Sequence, residues 1–375
     1  MCGNYWLAVQ VLASDGPLRS FRANLLPDKQ YITAGHLWGS SNQVVGTLKL
    51  ILLALQTDRV PILDSFDGSH HSEGPEAPWS QFYDLDRLSE QLNLPILEWH
   101  DVKTAAASEE ERLTCWHASD WVPDGAEQSL TPWNIKPDFW PLPAEFNTGI
   151  LASLKALAVL QSQQDQKGDE GTYFDSYRRR AEAEGQHVVA AKPDSQLLCF
   201  DQLFFECEGW FENGALTKPE TDDRVDPGAV LWQDVGRHLH WNAELDALAD
   251  EFLTETLGTA TAPFLAVHLR QGDFVAYNRI GDKAEAPFVE ALAAVEAELD
   301  AKARLKAKWS SAKRRKPLPV VFATDSEDPT YIAALETRGW HFLDHAKFKT
   351  AEQFGNWYPS MLDLAVMSRA VGFVG

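Results

Sequence analysis

Residues 264–274 read FLAVHLRQGDF, an apolar run that ends in an imidazole, a guanidinium, a glycine and a carboxylate. In an extended segment alternate side chains share a face, so His268 and Arg270 leave the strand end together while Leu269 points back into packing. Arginine keeps its charge inside a protein and presents a planar fork that pairs bidentately with phosphate or carboxylate. Gly272 permits a tight turn, and Asp273 can brace the guanidinium or meet a ligand hydroxyl. These types support an anion clamp for a phosphorylated ligand. The competing reading is a structural Arg–Asp pair at a strand end.

A second constellation is GSSNQ, residues 39–43. Small residues bring the backbone close to a ligand, and a helix N-terminus attracts anions through its free N–H groups and dipole. Alone such a turn only caps its helix; paired with an arginine-bearing strand end, it becomes a candidate anion-binding turn.

Other patterns have simpler explanations. Asp84 and Asp86 in DLD have the spacing of a metal-held diphosphate site, but they directly precede RLSEQL, where Asp84 serves as a helix cap. His238 and His240 lack a third ligand or an HExxH or CxxC companion, and His70 and His71 lie in a polar loop. There is no Walker loop, GxGxxG or G-x-S-x-G elbow. Asp325 in ATDSEDP stands at a strand end before a helix cap. Asp363, inside the apolar pattern MLDLAVMSRA, is costly to bury without a partner; it pairs with Arg369 or a backbone donor, or it reads a ligand.

The elements that position these residues alternate. PFLAVHL is a strand, residues 286–308 a long helix, LPVVFA a strand, DPTYIAALETRG a helix, WHFLD a strand, YPSMLDLAVMSRA a helix and VGFV a last strand. Such alternation implies a parallel sheet covered by crossover helices, with ligands beyond the carboxyl ends of the strands, where His268, Arg270, Asp325 and Asp344 fall. Near the start, YITA is a strand, GHLWGSSN a turn, residues 43–57 a helix capped by Asn42, and VPIL the next strand. Residues 65–147, rich in Pro and Trp, are expected to be irregular with short helices such as LDRLSEQL. GILASLKALAVLQSQ and ELDALADEFLTETLG read as helices, the second ending at Gly258. The reading divides the chain into residues 1–258 and 259–375.

At 375 residues the chain is long enough for two domains, and 45% hydrophobic with 23% charged residues is an ordinary globular composition. With 33 basic against 55 acidic residues and a net charge of −22, its overall field suits neither nucleic acid nor an anionic membrane surface. The basic run at residues 302–316 reads as a solvated helix end and loop. No stretch is apolar enough to cross a bilayer, and the first residues lack the basic flank and long core of a secretory signal. Of four cysteines, Cys199 and Cys207 are close enough to pair or equally to stay free in a buried element.

FLAVHLRQGDF resembles the His-Leu-Arg-x-x-Asp-Phe signature of the GDP-fucose protein O-fucosyltransferase superfamily. WGSSNQVVGTLKLILLALQTDRVPIL, VVFATDSEDP and MLDLAVMSRAVGFVG resemble its other blocks, in order. The resemblance implies an α/β, GT-B-like fold of two facing Rossmann-like domains, the N-terminal one on the acceptor side and the C-terminal one on the donor side. It implies inverting transfer of fucose from GDP-fucose to a hydroxyl of a protein or glycan acceptor, with no metal or other cofactor, in a secretory lumen. Carried over by position, Arg270 neutralises the β-phosphate, His268 and Leu269 lie along the nucleotide, Gly39, Ser40, Ser41 and Asn42 contact the donor, and Asp363 meets the nucleotide end. Asn42 and Asp273 join Arg270 as catalytic residues. Some members carry a glutamate just before the N-terminal Asn as general base; here Gly39, Ser40 and Ser41 stand there, leaving Asp273 or His36 for that role. The family also continues past FVG with a Ser/Thr-rich turn, so the reading expects a donor site cut short at Gly375. The rivals are a transferase using another donor, such as a rhamnose nucleotide, and a non-catalytic nucleotide- or carbohydrate-binding relative.

Overall fold

The computed structural model describes residues 10–36, 39–68, 76–105, 110–118, 133–148, 151–167, 173–186, 188–189, 191–204, 211–212, 215–216, 227–271, 286–306 and 317–375. The chain forms two compact units, Met1–His240 and Trp241–Gly375.

The first unit is wound around a parallel sheet. Its strands are β1 (Tyr31–Ala34), β2 (Val60–Leu63), β3 (Leu97–Glu98), β4 (Glu111–His117), β5 (Ile135–Pro141) and β6 (Leu197–Phe200), in the order β3-β2-β1-β6-β4-β5. Every residue of β1, β2 and β6 is buried, as expected of strands covered on both faces. Helix α1 (Ser40–Thr57) links β1 to β2 and buries Leu48, Leu50, Ile51, Leu52 and Leu53. It stops at Asp58, which adopts a left-handed conformation. Helix α2 (Leu85–Leu92) is capped by the side chain of Asp84, which accepts from the Arg87 N–H at 3.0 Å. This spends the first carboxylate of DLD on the helix. Helices α3 (Leu151–Lys167) and α4 (Tyr173–Ala183) follow β5.

Two expectations fail in this unit. Part of the segment read as irregular, residues 65–147, supplies β3, β4 and β5, with β4 and β5 paired over seven residues from Glu111↔Ile135 to His117↔Pro141. Pro137 and Pro141 mask the strand pattern in IKPDFWP. They are tolerated because β5 lies at the sheet edge, where a missing N–H costs no ladder bond. The second correction concerns Cys199. It is bonded to Cys115, 84 residues away, across the adjacent strands β4 and β6. Neighbouring strands bring the two α-carbons to 4.5 Å, which sequence proximity to Cys207 could not reveal. Cys207 lies outside the described residues, as do His70, His71, Gly272 and Asp273.

The second unit begins with α5 (Ala243–Leu257), capped by Asn242, whose side chain accepts from the Leu245 N–H at 2.9 Å. Strand β7 (Leu265–Leu269), helix α6 (Ala286–Lys306), β8 (Val320–Thr324), α7 (Pro329–Thr337), β9 (Trp340–Phe342), α8 (Tyr358–Met367) and β10 (Gly372–Val374) alternate as predicted. The sheet is parallel in the order β9-β8-β7-β10. Leu265, Val267, Leu269, Phe322, Tyr331 and Leu335 form its core, each large apolar side chain contributing about 1.5–3 kcal/mol by burial.

Helix α5 was assigned by sequence to the end of the N-terminal domain, and the structure moves that boundary from 258/259 to 240/241. The reason is its apolar face: Leu245, Ala249, Phe252 and Leu253 are buried, and the helix packs on α8. Arg369 secures it with 2.7 Å bonds to the carboxylates of Asp246 and Asp250.

Candidate functional site

In both sheets the winding reverses beside the first strand. Chain order runs outward from β7 through β8 to β9 on one side, with β10 on the other; in the first unit β1 leads to β2 and β3, with β6 opposite. A ligand crevice in a parallel sheet opens at the carboxyl ends of the strands flanking such a reversal.

In the second unit that edge carries Arg270. Leu269 is fully buried, His268 is half-buried and Arg270 is exposed, the alternation expected from the sequence. Two bonds hold the backbone around the guanidinium. Thr324 donates its hydroxyl to the Leu269 carbonyl at 2.6 Å, and the Gln271 N–H donates to Asp325 Oδ1 at 2.6 Å. The residue bearing the cation is thus moored from both sides by the end of β8. A Cβ built on Gly375 would lie 3.7 Å from His268 Cβ, so the residue following β10 passes beside the same edge. The buried Leu269 side chain supplies packing.

Asp363, on α8, accepts from His345 Nε2 at 2.9 Å, and His345 Nδ1 lies 3.1 Å from the Thr350 hydroxyl. Of the alternatives open for Asp363, pairing with Arg369 does not occur, because that guanidinium is engaged by α5. Asp344 caps the short helix His345–Phe348, accepting from the Lys347 N–H at 2.9 Å. Asp325 is a mooring group for the Arg270 backbone, and Asp328 caps α7.

In the first unit the turn before α1 is built differently from its prediction. Gly39, not Asn42, is the N-cap, with extended backbone and no side chain to offer. Asn42 is the third residue of the helix, its N–H bonded to the Gly39 carbonyl at 2.9 Å. The consequence favours ligand binding: the first-turn N–H groups lack a side-chain cap and the Asn42 amide is half-buried, without a partner among the described residues.

His36 follows β1. Its Nε2 lies 3.0 Å from the Asp64 carbonyl, which can only accept, so Nε2 carries the proton and Nδ1 is the free lone pair. Burial pushes the imidazole down to about 4, against a backbone contact that raises it. The ring is neutral and a weak proton acceptor, which counts against His36 as general base. Asp273, the other sequence candidate, lies outside the described residues. His238 has both ring nitrogens engaged, accepting from Arg237 and donating to Gln91, as suits a surface bond and not a metal ligand. No group of three or more metal-ligating side chains occurs among the described residues, nor a helix long and apolar enough to cross a membrane.

Sequence reasoning missed Thr324, His345 and Asp64. Asp64 had a usable signal: it directly follows VPIL, the same strand-end position that singled out Arg270. Thr324 and His345 are recognisable only once β8 and α8 are placed.

Comparison with known proteins points to one family. A family model described as GDP-fucose protein O-fucosyltransferase matches residues 39–375. No curated protein matches the chain in sequence. Among solved structures, POFUT1 in complex with GDP-fucose superposes with a TM-score of 0.50 at 14% identity, covering 93% of this chain and 90% of the other. The apo form of POFUT1 gives 0.49 at 15% identity, over 93% and 92%. The fucosyltransferase NodZ from Bradyrhizobium gives 0.40 at 12% identity, over 92% and 88%. At such identities the first likeness speaks for the fold, GT-B-like with two Rossmann-like domains, and the others add nothing to it.

Proposed function

The chain belongs to the GDP-fucose protein O-fucosyltransferase family and is a glycosyltransferase, and we propose that it transfers fucose from GDP-fucose to a hydroxyl in a single, inverting, metal-independent displacement. The observation that carries this reading is Arg270, exposed at the carboxyl end of the strand where the sheet order reverses and held there by Thr324 and Asp325. A fixed guanidinium stabilises the negative charge that grows on the β-phosphate as the glycosidic bond breaks. It needs no divalent ion to do so.

The remaining donor contacts belong to the same proposal. His268 shares the edge with Arg270, and the backbone at Leu269 ends the strand below them. The uncapped first turn at Gly39, Ser40, Ser41 and Asn42 offers N–H groups and a side-chain amide to the donor near the sugar. Asp363, oriented by His345, reads the nucleotide end. Asp273, two residues beyond Gln271, completes the catalytic set with Arg270 and Asn42. The acceptor is a hydroxyl of a protein or a glycan.

The test is GDP-fucose binding by calorimetry and GDP release with and without a chelator, in wild type and Arg270→Ala. Release should fall on the order of 100-fold or more in the variant, with weaker GDP binding, and chelation should leave the wild type unchanged. Equal turnover in R270A would refute the clamp; loss on chelation would refute metal independence.

A further inference from the structure

Asp64 is the first residue beyond the carboxyl end of β2, next to the strand where the first sheet reverses its winding. Its main chain is pinned by two donors: His36 Nε2 at 3.0 Å and Trp79 Nε1 at 2.8 Å both reach its carbonyl oxygen. Its side chain is bound on one oxygen only, Oδ1 accepting from the Ser65 N–H at 3.0 Å. Oδ2 has no partner among the described residues.

The loop leaving Asp64 is clamped to the start of α1. Gln43 donates through Nε2 to the Asp67 carbonyl at 2.8 Å, and the Asp67 N–H donates back to Gln43 Oε1 at 2.9 Å. Gln43 follows Asn42 directly, so one pair of bonds ties the Asp64 loop to the turn proposed to meet the donor. An aromatic wall backs the group: Phe66 stacks on Trp79 at 4.1 Å, Trp79 on Tyr83 at 5.4 Å, and the His36 ring lies 6.0 Å from Trp79.

The electrostatics separate the two titratable groups at this edge. Burial, then the charges of Glu76 and Asp67, push the Asp64 carboxyl well above the ordinary carboxylate range, with the Ser65 N–H offsetting part of the rise. His36, neutral and pushed down to about 4, faces it through the carbonyl bond. A raised carboxylate binds a proton more strongly than an imidazole lowered so far, so the carboxylate is the better base.

Building on the function proposed above, we infer that Asp64 is the catalytic base that receives the proton of the acceptor hydroxyl. The acceptor oxygen bonds to the anomeric carbon of fucose, the bond from that carbon to the β-phosphate oxygen breaks, and its electron pair leaves with GDP. The hydroxyl proton passes to Oδ2 of Asp64, which returns it to water after the product departs. The family's glutamate position is filled here by Gly39, Ser40 and Ser41, and the base comes from the neighbouring strand end.

The experiment uses the full chain, with water as the receiving hydroxyl. GDP release from GDP-fucose is followed from pH 5 to 9 in wild type, Asp64→Asn and Asp64→Glu, with GDP-fucose affinity and thermal unfolding measured for each. Wild-type turnover should rise with pH through an acid limb above the ordinary carboxylate range. D64N, isosteric and relieved of an unpaired charge, should fold, bind GDP-fucose within about twofold of wild type and turn over at least ~100-fold more slowly without that limb. D64E should keep the limb at a reduced rate. D64N turnover matching wild type, an unchanged limb in D64N, or loss of donor binding in step with turnover would each overturn the base assignment alone. A wild type that neither binds nor hydrolyses GDP-fucose would overturn the proposed function and this assignment with it.

Discussion

Thr324 donates its hydroxyl to the carbonyl of Leu269 at 2.6 Å, and one residue after Thr324 and two after Leu269, Asp325 accepts the N–H of Gln271 at 2.6 Å. The two bonds straddle Arg270. A long side chain aimed at a diphosphate loses entropy when it binds, and a backbone already fixed at its root leaves less to lose.

Thr324→Val therefore tests the mooring apart from the cation. It keeps the shape and removes the hydroxyl, costing about 1 kcal/mol of stability for each bond that hydroxyl makes, to the Leu269 carbonyl and from the Ser326 N–H. A loss of about 1 kcal/mol in donor binding is about fivefold in Kd. Calorimetry with GDP-fucose, alongside urea unfolding, measures both. Unchanged affinity in a destabilised variant would mean the guanidinium is placed by other contacts.

His36 makes a pH prediction with a defined sign. The unfolded imidazole titrates near its ordinary 6.5 and the folded one at about 4. Between those values the unfolded chain holds a proton that the folded chain refuses, so stability falls as pH drops from about 6.5 to about 4. The loss is on the order of 3 kcal/mol. His36→Phe keeps a ring against Phe66 and Trp79 and removes the titration. The difference between wild type and H36F in urea midpoint should shift against the wild type between pH 7 and 4.5. Parallel pH curves would show that the ring is not held neutral.

The bond between His345 and Asp363 invites a double-mutant cycle. If His345 orients the carboxylate for the nucleotide, His345→Ala should weaken GDP binding by less than Asp363→Ala, and the double variant should match D363A. The coupling should fall within about 0.5–3 kcal/mol, the range for contacting residues. Strict additivity, read by calorimetry, would leave the pair as a packing contact only.

What the sequence revealed followed how local each signal was. FLAVHL, VVFA and the helices between them announce themselves by apolar runs and period, and the structure places β7, β8, α6, α7 and α8 where those patterns lie. The strand-end alternation of His268, Leu269 and Arg270 is equally local. By contrast β5 is hidden by its prolines, because edge position is a property of the sheet and not of IKPDFWP. The partner of Cys199 depends on which strands are neighbours, and the unit to which α5 belongs depends on α8, more than a hundred residues later. Asn42 was misplaced by three residues of helix, since nothing in GSSN distinguishes a cap from a first turn.

The bond between Cys115 and Cys199 spans 84 residues, and both cysteines sit almost fully buried on adjoining strands. A peptide bond hydrolysed anywhere between them leaves the fragments as one covalent species. A protease that nicks β5 or the α3–α4 region would therefore produce no new band until the sample is both unfolded and reduced. Integrity of this chain on a non-reducing gel reports the cross-link, not the backbone.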